Sequence, residues 1–269
     1  RVYYEYAPLL RLPSLSIIIP VHNGAKWIAE CLDSLDGVPG EIIVSDDGSD
    51  DETRNIVKTR AKKDERLRLL TLDGRRYAGG ARNAALKVAK GEYISFLDAD
   101  DRLCDKNVFR CMHAVASYSR ADVICSSEIE FFDAIKRWRL PRGRRYRGII
   151  DEERRPMMFY TQLPTWMSWF RRDYLDEFSI RFAEGVQSYE DNLFSFAAAA
   201  TARSVVVFPG PLVSHRIRND SLSHIVDVSV QTAFFDVVDM QLEYAATHGL
   251  LERYPAIMRN CFFHLVFLN

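Results

Sequence analysis

The chain has 269 residues, enough for one large α/β domain or two small ones. Its 48% hydrophobic and 27% charged residues exclude a disordered or fibrous chain. Lys and Arg (36) nearly match Asp and Glu (37), and a net charge of −1 argues against a nucleic-acid binder, which would be strongly basic. No apolar run approaches the roughly 18 residues needed to cross a bilayer, and no secretory signal is visible. Five cysteines (Cys31, Cys104, Cys111, Cys125 and Cys261) form no C-x-x-C pair. Their odd number favours buried thiols in a reducing, cytoplasmic setting over a disulfide framework or a zinc site.

The first hundred residues alternate strand and helix signals. Residues 15–20 (LSIIIP) read as a buried parallel strand, closed by the turn His22-Asn23-Gly24. Apolar residues at helical spacing predict a helix over 25–35, which Gly37, Pro39 and Gly40 break. A second strand over 41–45 leads into Asp46-Asp47-Gly48-Ser49, and Asp50 or Asp51 can cap the helix that follows. A third strand is expected over 66–72, a helix over 81–90, and a fourth strand over 92–97 running into Asp98-Ala99-Asp100-Asp101. Strands joined by helical crossovers imply a parallel sheet, whose ligands bind at the carboxyl ends of the strands. All three polar turns fall there.

Beyond residue 103 the pattern loosens. A helix over 105–118 precedes strands near 122–126 and 128–133. Residues 136–147 (KRWRLPRGRRYR) hold seven cations in twelve positions and no carboxylate. They read either as a solvated loop or hairpin, or as a patch for an anionic acceptor or a membrane surface, with nucleic acid a distant third. Trp166, Trp169 and Phe170 come next, then a helix over 188–203 that opens with Tyr189-Glu190-Asp191. Strands over 204–208 and 212–217 are parted by Pro209-Gly210-Pro211. From Val226 the chain reads as helical, divided near Gly249, and the apolar stretch 261–268 calls for burial.

Several of these residues suit a defined chemistry. Asp98 and Asp100, at the end of an apolar strand, demand cations or hydrogen-bond donors. Their hard oxygens suit Mg²⁺ or Mn²⁺, which take one or two carboxylates and complete their shell with substrate phosphates. Taken alone, the pair is also an ordinary acidic turn. A carboxylate in the Asp46-Asp47 turn could accept from a nucleobase N–H, while Asn23 and His22 offer an amide and a flat ring to a base or ribose; alone, His22 reads as a packing or capping residue. Residues 77–83 (YAGGARN) pair glycines just before a helix, a setting that favours anions, but not as G-x-G-x-x-G. Arg82 there either binds a diphosphate or neutralises Asp98 and Asp100. Glu190 and Asp191 also fit a helix N-terminus favoured by the dipole.

Together, SIIIPVHNGAKWIAECLDSL, IIVSDDGSDDET, ARNAALKVAKGEYISFLDADD and YEDNLFSF resemble the family 2 inverting glycosyltransferases of the GT-A fold, as found in bacterial surface-polysaccharide synthesis. The likeness covers about residues 14–225, and residues 215–221 (HRIRNDS) are similar to that family's closing loop, with His in place of Tyr. The resemblance implies an α/β fold with a mostly parallel central sheet flanked by helices. It divides the chain into a nucleotide-sugar-binding half (1–103), an acceptor-binding half with the catalytic base (104–225) and a C-terminal helical segment (226–269). Pro20, His22, Asn23 and Asp47 would line the nucleoside pocket. Asp98 and Ala99 would lie near the ribose and diphosphate, with Arg82 or Arg216 adding positive charge. Asp100 would hold Mn²⁺ or Mg²⁺, Asp191 would be the general base, and Glu190 and Trp166 would stand on the acceptor side. The donor would be a nucleotide sugar, with UDP the expected nucleotide. The acceptor would be a saccharide or lipid-linked glycan, reached at the inner face of the plasma membrane. Two rivals remain: a nucleotidyltransferase, which would place a Gly- and Arg/Lys-rich phosphate loop where this chain has PVHNGAKW, and a catalytically silent sugar-binding module.

Overall fold

The computed structural model describes residues 12–132, 136–139, 148–149, 153, 155, 163–217 and 228–255. Its amino-terminal part alternates strand and helix in the order β1 (Leu15–Val21), α1 (Ile28–Ser34), β2 (Glu41–Asp46), α2 (Thr53–Ala61), β3 (Leu67–Thr71), α3 (Tyr77–Leu86) and β4 (Tyr93–Phe96). There follow β5 (Arg102–Leu103), α4 (Lys106–Ser119), β6 (Val123–Phe132), β7 (Lys136–Arg139) and β8 (Gly148–Ile149). A 3₁₀ turn at Thr165–Met167 leads to β9 (Ser168–Arg171), α5 (Arg172–Glu177), α6 (Glu190–Thr201), β10 (Ser204–Arg216), α7 (Val228–Thr247) and α8 (Leu250–Arg253).

These strands form one sheet in the order β3-β2-β1-β4-β9-β6-β10-β5, with β7 beside β6 and β8 beside β10. The first four pair in parallel; Ile17 lies opposite Ile42, and Ile18 opposite Phe96. Every residue of β1 is buried, as a central strand covered on both faces requires. Alternation along that strand feeds two cores. Ile17 and Ile19 pack with Leu32, Phe109 and Met112 on one face, while Ile18 packs with Ile43, Phe96 and Phe194 on the other.

The chain lays down β1, β2 and β3 in one direction, then returns to set β4 on the far side of β1. That reversal opens a crevice beyond the carboxyl ends of β1 and β4, where ligands of such sheets bind. The turns at Asn23 and at Asp98–Asp101 sit on its rim.

Two sequence expectations need correction. First, the helix placed over 81–90 runs from Tyr77 to Leu86, so Gly79 and Gly80 lie inside it rather than in a turn before it. Second, the two strand pairs expected on either side of residues 127 and 209–211 are single long strands, β6 and β10. Pro209 and Pro211 cannot donate to a ladder, and β10 absorbs them through register shifts between Phe208 and Ser214. Trp169 and Phe170, for which the sequence predicts no element, belong to a buried antiparallel strand between β4 and β6.

The break near Gly249 stands as read; that glycine is left-handed (φ 66°) between α7 and α8. Cys31, Cys104, Cys111 and Cys125 are free thiols. No described helix is long and apolar enough to cross a membrane. Residues 140–147 of the basic stretch, 218–221 of the closing loop, Cys261 and the apolar stretch 261–268 lie outside the described residues.

Close approach of Gly91 to β1 seats β4 in register, since its N–H donates to Ser16 Oγ (2.8 Å) and a Cβ there would run into the backbone of Leu15 and Ser16. Gly91→Ala should therefore destabilise the fold by about 2–3 kcal/mol, read as a lower urea midpoint at unchanged slope.

Candidate active site

At the end of β1, His22 Nδ1 donates to the Asp47 carbonyl (2.8 Å), which fixes the ring tautomer. Asn23 is left-handed (φ 50°), a conformation its short amide tolerates. Its Oδ1 accepts from Asp50 N (2.9 Å), and its N–H donates to Ser49 Oγ (2.9 Å), so the turns after β1 and β2 are stitched together. Asp47 is 3% exposed, and its Oδ1 accepts from Arg76 N (2.5 Å).

Pro20, His22, Asn23, Asp47, Arg82, Asp98, Ala99, Asp100 and Glu190 line one cleft of about 340 Å³. Trp27, Arg75, Tyr77 and Gln187, which carried no site role in the sequence reading, line it too. A larger hollow of about 620 Å³ lies at the opposite, amino ends of β2 and β3, but its Arg60 and Arg66 are held by Asp33, Asp36 and Asp64.

The floor of the cleft is an ion-pair chain. Arg82 is 5% exposed; its Nη2 donates to Asp98 Oδ1 and its Nη1 to Glu190 Oε1, each at 2.7 Å. The sequence reading left Arg82 between diphosphate binding and neutralising Asp98 and Asp100. In the structure it pairs with Asp98 and Glu190, one from each half of the site. Arg216 is also engaged: its Nε donates to the Asp100 carbonyl (3.0 Å), its Nη2 donates to Glu30 Oε2 (2.5 Å), and its guanidinium lies 4.3 Å over the Trp27 ring.

Asp101 anchors the end of β10. It is 1% exposed and accepts from Arg216 N (2.8 Å) through Oδ1 and from His215 Nδ1 (2.9 Å) through Oδ2. Burial pushes its carboxyl up to about 6 against the pull of His215. In the sequence Asp101 is only a third acid directly after the Asp98/Asp100 pair, with nothing local to mark this role. His215 stacks on Trp166 with ring centroids 5.6 Å apart.

Asp191 opens α6 beside Glu190, one turn before Phe194, which is packed at 4.4 Å on Phe182 and 5.5 Å on Phe96. Asp191 and Trp166 are not among the residues lining the cleft itself. Burial pushes the Asp191 carboxyl up to about 6; Glu190 and Asp98 add to the rise, and Arg82 opposes it.

For a divalent ion, the donor set on hand is hard carboxylate oxygen, with Asp100 half-buried on the cleft wall. That chemistry fits Mg²⁺ or Mn²⁺ when diphosphate oxygens supply further ligands. Among the described residues no group of three or more His, Cys, Asp or Glu forms a complete metal cage.

The sequence model described as glycosyl transferase family 2 matches residues 16–179. The chain belongs to glycosyl transferase family 2. This family 2 chain is 29% identical to EpsH of Bacillus subtilis, named as a glycosyltransferase, over 79% of its own length and 63% of EpsH. It is 28% identical to the succinoglycan biosynthesis protein ExoO of Rhizobium meliloti, over 90% of this chain and 72% of ExoO. It therefore spans just under two thirds of the length of EpsH. Its fold is similar to that of S. aureus TarS residues 1–349 in complex with UDP-GlcNAc, with a TM-score of 0.70 and 22% identity, covering 94% of this chain and 76% of that one. A likeness at that identity speaks for the fold alone.

Asp191 makes a prediction for stability as well as chemistry. A carboxyl raised to about 6 in the folded state stabilises it below the unfolded value near 4 and loses that contribution as pH rises through 6. Asp191→Asn should therefore unfold later than the wild type above pH 6, by on the order of 1–2 kcal/mol, and by nothing measurable near pH 4. Thermal unfolding across pH 4–8 checks this.

Proposed function

We propose that this chain is an inverting glycosyltransferase that moves a sugar from a nucleotide-diphosphate donor, a UDP-sugar, to a hydroxyl of a saccharide or lipid-linked glycan in surface-polysaccharide synthesis. The observation that carries this reading is one cleft at the sheet's switch point lined together by Asp47, Asp98, Asp100 and Glu190, the neighbour of Asp191. The relatives agree in kind. TarS has been solved with UDP-GlcNAc and with UDP, ExoO is named for succinoglycan biosynthesis, and a Campylobacter jejuni relative is named as a glucosyltransferase acting on an undecaprenol-linked glycan.

In this reading Pro20, His22, Asn23 and Asp47 hold the nucleoside, with Asp47 accepting from the uracil N3–H. Asp98 and Ala99 lie against the ribose and diphosphate. A Mn²⁺ or Mg²⁺ held by Asp100 would supply positive charge to the diphosphate oxygens. Arg82 adds charge at the floor, and Arg216 acts from its seat on the Asp100 carbonyl. Glu190 and Trp166 face the acceptor.

Inversion requires the acceptor hydroxyl to attack the anomeric carbon on the face opposite the diphosphate. The new C–O bond forms as the bond to the diphosphate breaks, and Asp191 takes the hydroxyl proton. Burial suits Asp191 to this task, because a carboxylate raised to about 6 is a stronger base than an exposed one and is still ionised at neutral pH. No covalent enzyme intermediate is needed.

A lipid-linked acceptor would bring the enzyme from the cytoplasm to the inner face of the plasma membrane, and the seven cations of 136–147 suit anionic headgroups there.

Thermal-shift screening against nucleotide sugars, with and without Mn²⁺, tests the donor class; a ligand at 100 times its dissociation constant adds about 2.7 kcal/mol. No shift with any UDP-sugar in the panel would overturn the UDP assignment. Asp191→Asn should fold and bind donor yet lose about 10²–10⁴-fold in turnover. In the wild type, turnover should fall as pH drops through about 6, where Asp191 protonates. Near-normal transfer by Asp191→Asn removes it from the role. Asp100→Ala should abolish both activity and its dependence on divalent ions, whereas wild-type turnover that persists in chelator would defeat the metal assignment.

A further inference from the structure

The sequence places the paired glycines of segment 77–83 just before a helix, in a setting that favours anions, but they lie within the helix, one face of which touches the segment leading into Asp191. Gly79, Arg82 and Asn83 stand at helical i, i+3 and i+4 positions. A Cβ on Gly79 would collide with the Ala183 carbonyl and come within 3.0 Å of Glu190 Cβ. Asn83 Nδ2 donates to the Phe182 carbonyl (2.9 Å) and to Glu184 Oε1 (2.8 Å), and Asn83 Oδ1 accepts from Phe182 N (3.0 Å). Arg82 completes the stripe through Glu190, while its other arm holds Asp98. Within the docked segment, Ala183 N donates to the Glu190 carbonyl (3.1 Å), closing a loop on the first turn of α6.

We propose that the Gly79/Arg82/Asn83 stripe positions the base: Arg82 is a buried strut that fixes the distance between the donor-side carboxylate Asp98 and the Asp191-bearing turn, rather than primarily a diphosphate ligand. The inference rests on the glycosyltransferase reading for its meaning, but its geometry does not depend on it. A diphosphate ligand needs donors turned toward the ligand. Arg82 Nη1 and Nη2 each donate to a protein carboxylate, its Nε is buried with no hydrogen-bond partner among the described residues, and the guanidinium lies over the Phe182 ring at 5.1 Å. The groups that act on Asp191 are Glu190 and Asp98, which favour its protonated form, and Arg82, which favours the charged one. Removing the strut should therefore both loosen the turn and shift its titration.

The test compares the wild type with Arg82→Met, Arg82→Lys and Asn83→Ala by three readouts. Carbon-13 NMR of labelled aspartate, with Asp191→Asn as the assignment control, follows the Asp191 carboxyl. Hydrogen exchange follows the amides of Phe182, Ala183 and Asn192, and calorimetry measures binding of UDP itself. For Arg82→Met we expect the Asp191 midpoint to move up by at least half a unit and exchange at 182–192 to accelerate at least tenfold. Arg82→Lys keeps the charge but cannot span both carboxylates, so exchange should accelerate with the midpoint near that of the wild type. Asn83→Ala should loosen the same amides alone. An unchanged midpoint and unchanged exchange in Arg82→Met overturn the proposal, as does a tenfold loss of UDP affinity with exchange unaltered. Should Arg82→Met fail to fold, unaltered exchange in both Arg82→Lys and Asn83→Ala overturns it. If the wild type binds no UDP, the donor reading fails while the midpoint and exchange still decide the strut.

Discussion

Arg82, at 5% exposure, is the fixed point of this structure. Burying a cation costs several kcal/mol of hydration, and Arg82 recovers it only by meeting two carboxylates at hydrogen-bond distance. Removing one partner of such a pair typically costs about 3–5 kcal/mol, because the remaining charge stays buried and uncompensated. Asp98 follows β4 and Glu190 opens α6, so the fold cannot satisfy Arg82 without bringing those elements together. The aromatic contacts of Phe96, Phe182 and Phe194 press the same elements from the apolar side. Polar and apolar constraints thus converge on one spacing, that between the turn after β4 and the first turn of α6.

The turn after β4 sets its three acids to different tasks, although Asp98 and Asp100 both line the cleft. Asp98 faces the strut, Asp100 lines the cleft, and Asp101 turns inward to hold the end of β10. A four-residue turn at a switch point can do this because successive side chains leave it in different directions, toward α3, toward the cleft and toward β10. Arg216 returns the contact by donating to the Asp100 carbonyl and reaching Glu30 on α1. The carboxyl ends of β1 and β4 and the end of β10 are therefore one mechanical unit, although β10 begins more than a hundred residues after β4.

Legibility in the sequence followed the range of the interactions. The parallel strands declared themselves because residues buried on both faces leave an unbroken apolar run, as in LSIIIP, and the polar turns at their ends marked the crevice. The Asp101 clamp stayed hidden, since its partners lie 114 and 115 positions away and nothing local distinguishes it from Asp100. Residues 77–83 misled for a physical reason: paired glycines are poor helix formers, so local propensity favoured a turn, whereas close packing of Gly79 against Ala183 requires the missing Cβ within a helix. Pro209 and Pro211 misled similarly, because a bulge accommodates what a regular ladder cannot.

Two carboxyls of this site are held up to about 6, and the two cases differ in kind. Asp101 meets a backbone N–H and an imidazole, so its burial is answered within the protein and secures geometry. Asp191 is opposed by Glu190 beside it, and the balancing cation, Arg82, acts from the far side of Glu190. A group kept in that condition costs stability at neutral pH, and a fold under selection for stability alone would replace it with an amide of the same shape. What an amide cannot do is accept a proton from a hydroxyl. The poor electrostatic accommodation of Asp191, inside a turn that Phe194, Gly79 and Asn83 otherwise pack and bond closely, is what the general-base role proposed for it requires: rigid placement and incomplete neutralisation in the same side chain.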